Sequence, residues 1–135
     1  MQLLQTAFSL PVQDPQRTQR FYSRVFGADA CTLEQDTVSL QLPGVTVFFI
    51  EHESFNKMLK PAQIEADFAT EKFTSMLSAT VMTRDEAYAC LKAAAEAGGT
   101  PCGQAVPYAW GMAAYFKDPD QHLWEILWRD PRYRD

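Results

Sequence analysis

The sequence predicts an α+β fold in which two tandem βαβββ modules form a curved mixed sheet around a cleft, with the helices outside. One strand–helix–strand–strand–strand order occurs twice along the chain. Asp14 and Asp85 are also separated by the same number of positions as Gly27 and Gly98, which indicates an internal duplication. The chain has 135 residues, 47% of them hydrophobic, which is enough for one domain with a proper core.

The first module is predicted over about residues 1–53. An apolar strand covers residues 3–12, and Asp14 is a suitable N-cap for a helix that begins at Pro15. Gly27 ends this helix, whose apolar stripe includes the pair Phe21 and Tyr22. Three strand-like runs follow, at residues 28–33, Thr37–Leu42 and Val45–Glu51.

A more polar linker at about residues 54–74 separates the modules and contains a short helix that Pro61 should stop. The second module is predicted at about 75–129, and a tail at 130–135 follows it. Its strand at 75–83 leads into a helix rich in Ala, Leu, Lys and Glu that Gly98 and Gly99 close. Three more strands are predicted, at residues 100–106, 112–117 and 122–128.

Composition excludes several classes of partner. The formal net charge is −5 and there is no run of Lys or Arg, so neither nucleic acid nor an anionic membrane surface is expected as a partner. Apolar runs are shorter than the roughly 18 residues that a membrane-spanning helix needs. The three cysteines form no C-x-x-C pattern and the N-terminus lacks the features of a signal peptide, so we expect a cytoplasmic protein with reduced thiols.

Three stretches, "PVQDPQRTQRFYSRVFG", "RDEAYACLKAAAEAGGT" and "YFKDPDQHLWEILW", resemble the two helices and the closing hairpin of the vicinal oxygen chelate superfamily. This superfamily includes glyoxalase I, extradiol dioxygenases, fosfomycin-resistance enzymes and bleomycin-resistance proteins. The resemblance covers nearly the whole chain and is nearest to a glyoxalase-like subgroup. The closing hairpin carries Gln121 where the family usually has Gly. A left-handed backbone there would cost about 1 kcal/mol, so the turn is expected to differ.

The resemblance implies a divalent metal (Zn, Ni, Mn or Fe) held by four strand residues. The last ligand position falls on Glu125, and Gln5 and Glu51 lie on the same strand faces as two others. The fifth-strand histidine of the family falls near Met76. Because such a site needs three or four convergent ligands and the chain has only 2 histidines, the sequence leaves metal binding open.

Several residues are candidates for the site, and each has a structural alternative. Glu125 would be a metal ligand or general base, or an acid retained and paired locally. Tyr115 occupies the position of a substrate-binding tyrosine in the fosfomycin-resistance enzymes, or it is a wall residue. The other predicted ligand contacts are the loop aromatics Tyr108 and Trp110, which could instead cover the sheet edge, and Phe49 and Gln5, which could instead be core and edge residues.

Two functions remain open at this point. The first is a glyoxalase-like enzyme that acts on a small oxygenated or conjugated metabolite through Glu125; such an enzyme would be a lyase, an isomerase or dioxygenase-like. The alternative is a metal-free protein of the bleomycin-resistance kind that sequesters a drug or an aromatic compound. Under both, the partners are a small-molecule ligand and a second copy of the chain, since the resemblance implies a homodimer.

Overall fold

The computed structural model describes residues 1–69, 73 and 75–134. The chain divides into two compact units, Met1–Ala69 and Thr70–Asp135. Each unit holds one four-stranded mixed sheet and one long helix, so the predicted α+β class and the two tandem modules are confirmed. Parts of the predicted linker and tail, at residues 70–72, 74 and 135, lie outside the described residues.

The first unit has the strand order β1-β4-β3-β2. Strand β1 runs parallel to β4, and the other neighbouring strands are antiparallel. Its elements are β1 (Ala7–Val12), α1 (Pro15–Phe26), β2 (Cys31–Glu34), β3 (Thr37–Leu42), β4 (Val45–Glu51) and α2 (His52–Leu59).

Helix α1 begins and ends where the sequence predicts. The side chain of Asp14 accepts hydrogen bonds from the backbone N–H groups of Gln16 and Arg17, and Pro15 occupies the first turn. The helix ends at Gly27, whose φ of +101° lies in the region that glycine tolerates. The caps therefore fix both ends of the helix that covers the first sheet.

Two strand boundaries in the first unit differ from the prediction. Strand β1 begins at Ala7, which pairs with Thr46 next to the start of β4 at Val45, and Leu3 and Leu4 are exposed. Residues Ala28–Ala30 form a 3-10 turn, and β2 begins only at Cys31. Helix α2 ends at Leu59, and a 3-10 turn containing Pro61 follows, which confirms that this proline stops the α-helix.

The second unit has the strand order β5-β8-β7-β6. Strand β5 is parallel to β8, while β8 and β7, and β7 and β6, are antiparallel, so the sheet repeats the topology of the first. Its elements are β5 (Leu77–Val81), α3 (Arg84–Glu96), β6 (Thr100–Tyr108), β7 (Gly111–Lys117) and β8 (Leu123–Arg129).

The register of the duplication differs from the prediction at the start of α3. The N-cap is Thr83, which forms a capping box with Glu86, so Asp85 lies inside the first turn and is not the equivalent of Asp14. The match between Gly27 and Gly98 holds, since both have φ near +100° (+101° and +104°) and follow the long helix. Helix α3 is one residue longer than α1. The number of positions between equivalent residues of the two modules therefore cannot be the same at both ends of the helices.

One face of the second sheet is covered by α3 and forms the core of this unit. Its buried side chains include a stacked aromatic pair, Phe116 and Trp124, with ring centroids 6.1 Å apart. The other buried members are Ala87, Cys90, Ala94, Met112, Ala114 and Ile126. We call the opposite face of this sheet, which α3 does not cover, the open face.

The β7–β8 turn keeps the left-handed backbone that the family glycine would adopt. Gln121 has a φ of +72°, and its N–H donates a 3.0 Å hydrogen bond to the carbonyl of Asp118. The buried carboxylate of Asp118 accepts from the N–H groups of Asp120 and His122 at 2.9 and 2.8 Å. The expectation of a different turn was therefore wrong, because these bonds hold the loop in the conformation that Gln121 disfavours.

All three cysteines are free: Cys31 and Cys90 are buried, and Cys102 is half-buried. Across residues 1–69, 73 and 75–134, no helix is both long enough and apolar enough to cross a membrane.

Candidate functional site

Glu125 lies at the centre of a hydrogen-bonded group on the open face. Its Oε2 accepts a 2.7 Å hydrogen bond from the Tyr115 hydroxyl, and its Oε1 accepts a 2.8 Å bond from the Ser78 hydroxyl. The three residues are direct cross-strand neighbours, since Glu125 pairs with Tyr115 on β7 and with Ser78 on β5. Strand register alone therefore brings the three side chains together, at the distance at which opposite residues meet.

Strand alternation places Glu125 away from the helix, as the sequence predicts. Its neighbours Trp124 and Ile126 are buried under α3, whereas Glu125 is half-buried and shares the open face with Leu123 and Leu127. The half-buried carboxylate thus sits between two leucines, on the face of the sheet that α3 does not cover.

The carboxylate of Glu125 raises the pKa of the Tyr115 phenol. Its hydrogen bond to Glu125 raises the pKa of Tyr115 above the ordinary value of 10.0, and burial and the charge of Glu125 add to the effect. Tyr115 therefore stays a neutral hydrogen-bond donor at physiological pH. The contact joins a donor and a carboxylate, the two groups that bind or deprotonate an oxygenated molecule.

The two loop aromatics lie at the β6–β7 end of the same unit. Tyr108 is the last residue of β6 and Trp110 lies in the turn, and their rings stack with centroids 4.9 Å apart and planes inclined by 6°. Tyr108 pairs with Gly111, so it shares the open face with Tyr115. Tyr108 is 48% exposed, which leaves this aromatic pair available to a ligand.

The other predicted site residues belong to the first unit. Gln5 precedes β1 and its amide donates a 3.2 Å hydrogen bond to the Thr46 hydroxyl. The carboxylate of Glu51 caps α2 by accepting from the N–H groups of Glu53 and Ser54 at 2.9 and 3.1 Å. Both groups therefore have local structural roles.

The predicted orientation of Phe49 is corrected by the structure. Phe49 is fully buried under α1 and stacks on Tyr22, with centroids 4.4 Å apart, so it cannot contact a ligand as it stands. Alternation shows which residues share a face of β4 but not which face the helix covers. The prediction assumed that Glu51 marks the open face, but Glu51 lies at the end of the strand and caps the next helix.

The described residues do not fit a divalent metal centre. Among them, no group of three or more His, Cys, Asp or Glu side chains is close enough to share an ion. His52 stacks on Phe68 with centroids 4.1 Å apart, and His122 precedes β8 and binds Asp118 through its backbone.

A separate depression of about 640 Å³ lies on the first unit. It is open to solvent and contains none of the predicted site residues. Its walls are Glu34, Gln35, Asp36, Thr37, Ser39 and Phe48. The carboxylate of Asp36 is engaged there, since it accepts hydrogen bonds from the hydroxyls of Ser54 and Thr37, which lower its pKa.

Ser78 is the member of the group that sequence reasoning missed. The resemblance placed a ligand near Met76, which lies before β5 and is 45% exposed. The residue opposite Glu125 is two positions further on. The parallel register of β5 on β8 would have identified Ser78, but this register is set by long-range pairing and not by a local pattern.

With this geometry established, comparison with known proteins identifies the family. The model of the glyoxalase/bleomycin resistance protein/dioxygenase superfamily matches residues 3–126. The chain belongs to this superfamily. This agrees with the vicinal oxygen chelate resemblance of the two helices and the closing hairpin. No functionally curated protein matches the chain.

Solved structures of other proteins share the fold. A hypothetical protein from S. aureus, SA1046, is 25% identical, with a TM-score of 0.75 over 94% of this chain and 95% of that one. A glyoxalase-related enzyme from Fulvimarina pelagi is 21% identical, with a TM-score of 0.78 over 94% and 89%. The fosfomycin resistance protein FosX from Mesorhizobium loti is 15% identical, with a TM-score of 0.66 over 98% and 96%. At these identities, the last two likenesses concern the fold alone.

Proposed function

We propose that this superfamily member binds a small planar or aromatic compound on the open face of its second module, without needing a metal ion. The observation that carries the proposal is the Glu125 carboxylate, whose two oxygens accept hydrogen bonds from Tyr115 and Ser78. A carboxylate held by two hydroxyls is already oriented, so a metal ion is not needed to position it. This favours the sequestering alternative over a metal-dependent enzyme.

The apolar surroundings support a planar ligand. The open face carries Leu123 and Leu127 beside the carboxylate, and the stacked rings of Tyr108 and Trp110 form an exposed edge. Small-molecule sites typically combine apolar and aromatic walls with a few polar groups that fix orientation. Here the walls would bury the ring system, and Tyr115 and Glu125 would bind its polar substituent.

Calorimetry with a neutral probe, 2-naphthylmethanol, tests this function on the full chain. The probe should bind equally well before and after treatment with a chelator. Tyr108→Ala should weaken binding severalfold, because Tyr108 lies on the open face. Tyr88→Ala is the matched control, since Tyr88 is exposed to a similar degree on α3 and should leave binding unchanged. Binding that disappears with the chelator and returns with Zn²⁺ would overturn the proposal.

A second candidate function rests on the same contact. A neutral phenol 2.7 Å from a carboxylate pairs a hydrogen-bond donor with a base, as enolisation of a carbonyl compound requires. Glu125 would accept the proton from carbon, and the Tyr115 hydroxyl would turn to the enolate oxygen. This is the chemistry expected of a glyoxalase-like enzyme acting on a small oxygenated metabolite.

Solvent deuterium exchange into hydroxyacetone, followed by NMR, tests this second function. The chain should accelerate exchange at the carbon beside the carbonyl, and Glu125→Gln should abolish the acceleration while the fold is retained. Exchange at the same rate with and without the protein would eliminate proton transfer for this substrate class and leave binding alone.

A further inference from the structure

We propose that the open face takes a ligand with a cationic nitrogen, a planar or aromatic amine or amidine, and that the positive charge lies against Glu125. This inference rests on the proposed binding function and deepens it, because it specifies the charge of the ligand. It follows from the charge balance around the carboxylate and from the side chains that share its face.

Only neutral groups hold the carboxylate. Tyr115 and Ser78 donate to its two oxygens, and among the described residues no Lys, Arg or His is within ion-pair distance of it. Lys117, the cation that shares the open face on β7, places its ammonium 5.1 Å from the centre of the Phe73 ring. Within the described part of the chain, no cationic side chain therefore forms an ion pair with Glu125.

The carboxylate retains unused hydrogen-bonding capacity. An ionised carboxylate offers about four acceptor positions, and two of them are used here. An ammonium or amidinium group could therefore bind Glu125 without displacing Tyr115 or Ser78. Charge-assisted hydrogen bonds of this kind are roughly twice as strong as neutral ones. Leu123 and Leu127 flank Glu125 on this face, and a charge-assisted bond beside apolar side chains is stronger than one in water.

The aromatic groups on this face also suit a cation. The faces of Tyr and Trp rings attract positive charge, and Tyr108 and Trp110 present a stacked pair on the same unit. An anionic ligand would meet the Glu125 carboxylate and a chain of net charge −5. A positively charged ligand is therefore favoured both by the Glu125 carboxylate and by the net negative charge of the chain.

Three naphthalene probes of matched shape test the inference by calorimetry on the full chain. They are 2-naphthylmethylamine, 2-naphthylmethanol and 2-naphthoate, which are cationic, neutral and anionic at pH 7. The amine should bind about tenfold more tightly than the alcohol, as expected for a charge-assisted bond to a half-buried carboxylate. The naphthoate should bind more weakly than the alcohol.

Two further measurements tie the preference to Glu125. Glu125→Gln, which keeps the shape of the side chain, should make the affinities for the amine and the alcohol equal. Asp85→Asn is the matched control, because Asp85 lies in the first turn of α3 and should leave the preference intact. The second measurement needs no variant: in the unmodified protein, added salt should weaken binding of the amine and leave binding of the alcohol unchanged.

The outcomes separate the two proposals. Equal affinities for the amine and the alcohol in the unmodified protein, or an amine affinity that salt does not change, would overturn the inference and leave the proposed binding function standing. If none of the three probes binds, the proposed function fails and the inference fails with it.

Discussion

The Tyr115 hydroxyl donates a 2.7 Å hydrogen bond to Oε2 of Glu125, its directly opposite neighbour across the β7–β8 ladder. The pair is ten residues apart in sequence and is joined by a turn that buries Asp118. The hydrogen bond to the carboxylate and the charge of Glu125 raise the pKa of Tyr115 above its ordinary value.

Titration of Tyr115 should depend on Glu125. The hydrogen bond to the carboxylate raises the pKa of Tyr115, so the stability that this bond contributes is complete below the ordinary value of 10.0 and is lost as pH rises through the raised pKa. The Tyr115 signal is the difference in tyrosinate absorbance between the unmodified protein and Tyr115→Phe. In a Glu125→Gln background this signal should move to lower pH, and an unchanged midpoint would contradict the contact.

The sequence predicts those features of the site that depend on residues close together in the chain, and not those that depend on pairing between distant strands. Helix caps and strand alternation are local, so the ends of α1 and the outward position of Glu125 were predictable. The burial of Phe49 was not, because it depends on which face of β4 receives α1. Ser78 was missed for a related reason, since its contact with Glu125 exists only through the parallel pairing of β5 and β8.

The shifted register of the duplication makes a prediction about helix caps. Asp14→Ala and Thr83→Ala should each lower the free energy of unfolding by about 1 kcal/mol, because each removes an N-cap hydrogen bond. Asp85→Ala should cost only a few tenths of a kcal/mol, the effect of one charge in the first turn. Urea unfolding measures all three. A cost for Asp85→Ala as large as that for Thr83→Ala would favour the register inferred from sequence spacing.

Gln121 offers a stabilising substitution. Its φ of +72° places a side chain where the backbone prefers glycine, while the hydrogen bonds of Asp118 hold the turn in place. Gln121→Gly should raise the free energy of unfolding by between about 0.5 and 1 kcal/mol. Gln121→Asn should give a smaller gain, because asparagine tolerates the left-handed region better than glutamine does. If Gln121→Gly lowers the free energy of unfolding, the Gln121 side chain stabilises the fold by more than the left-handed backbone costs.

The three cysteines should differ in their reaction with a thiol reagent such as DTNB. Burial raises the pKa of the Cys90 thiol to about 11 and also raises the pKa of Cys31, so both stay protonated and unreactive at pH 8. Cys102 is half-buried on the strand opposite Tyr115. We therefore expect one fast thiol per folded chain, three after unfolding in guanidinium chloride, and no fast thiol in Cys102→Ser.

The same reaction reports on the open face. Because Cys102 is the cross-strand neighbour of Tyr115, a naphthalene probe bound beside Tyr115 should slow the labelling of Cys102. The slow reaction of Cys90 should accelerate as pH rises from 9.0 towards 11, since the stability that comes from burying its neutral thiol is lost over that range. Full-speed labelling of Cys102 in the presence of a probe shown by calorimetry to bind would place that probe elsewhere on the molecule. Two fast thiols in the folded chain at pH 8 would contradict the burial of Cys31 and Cys90.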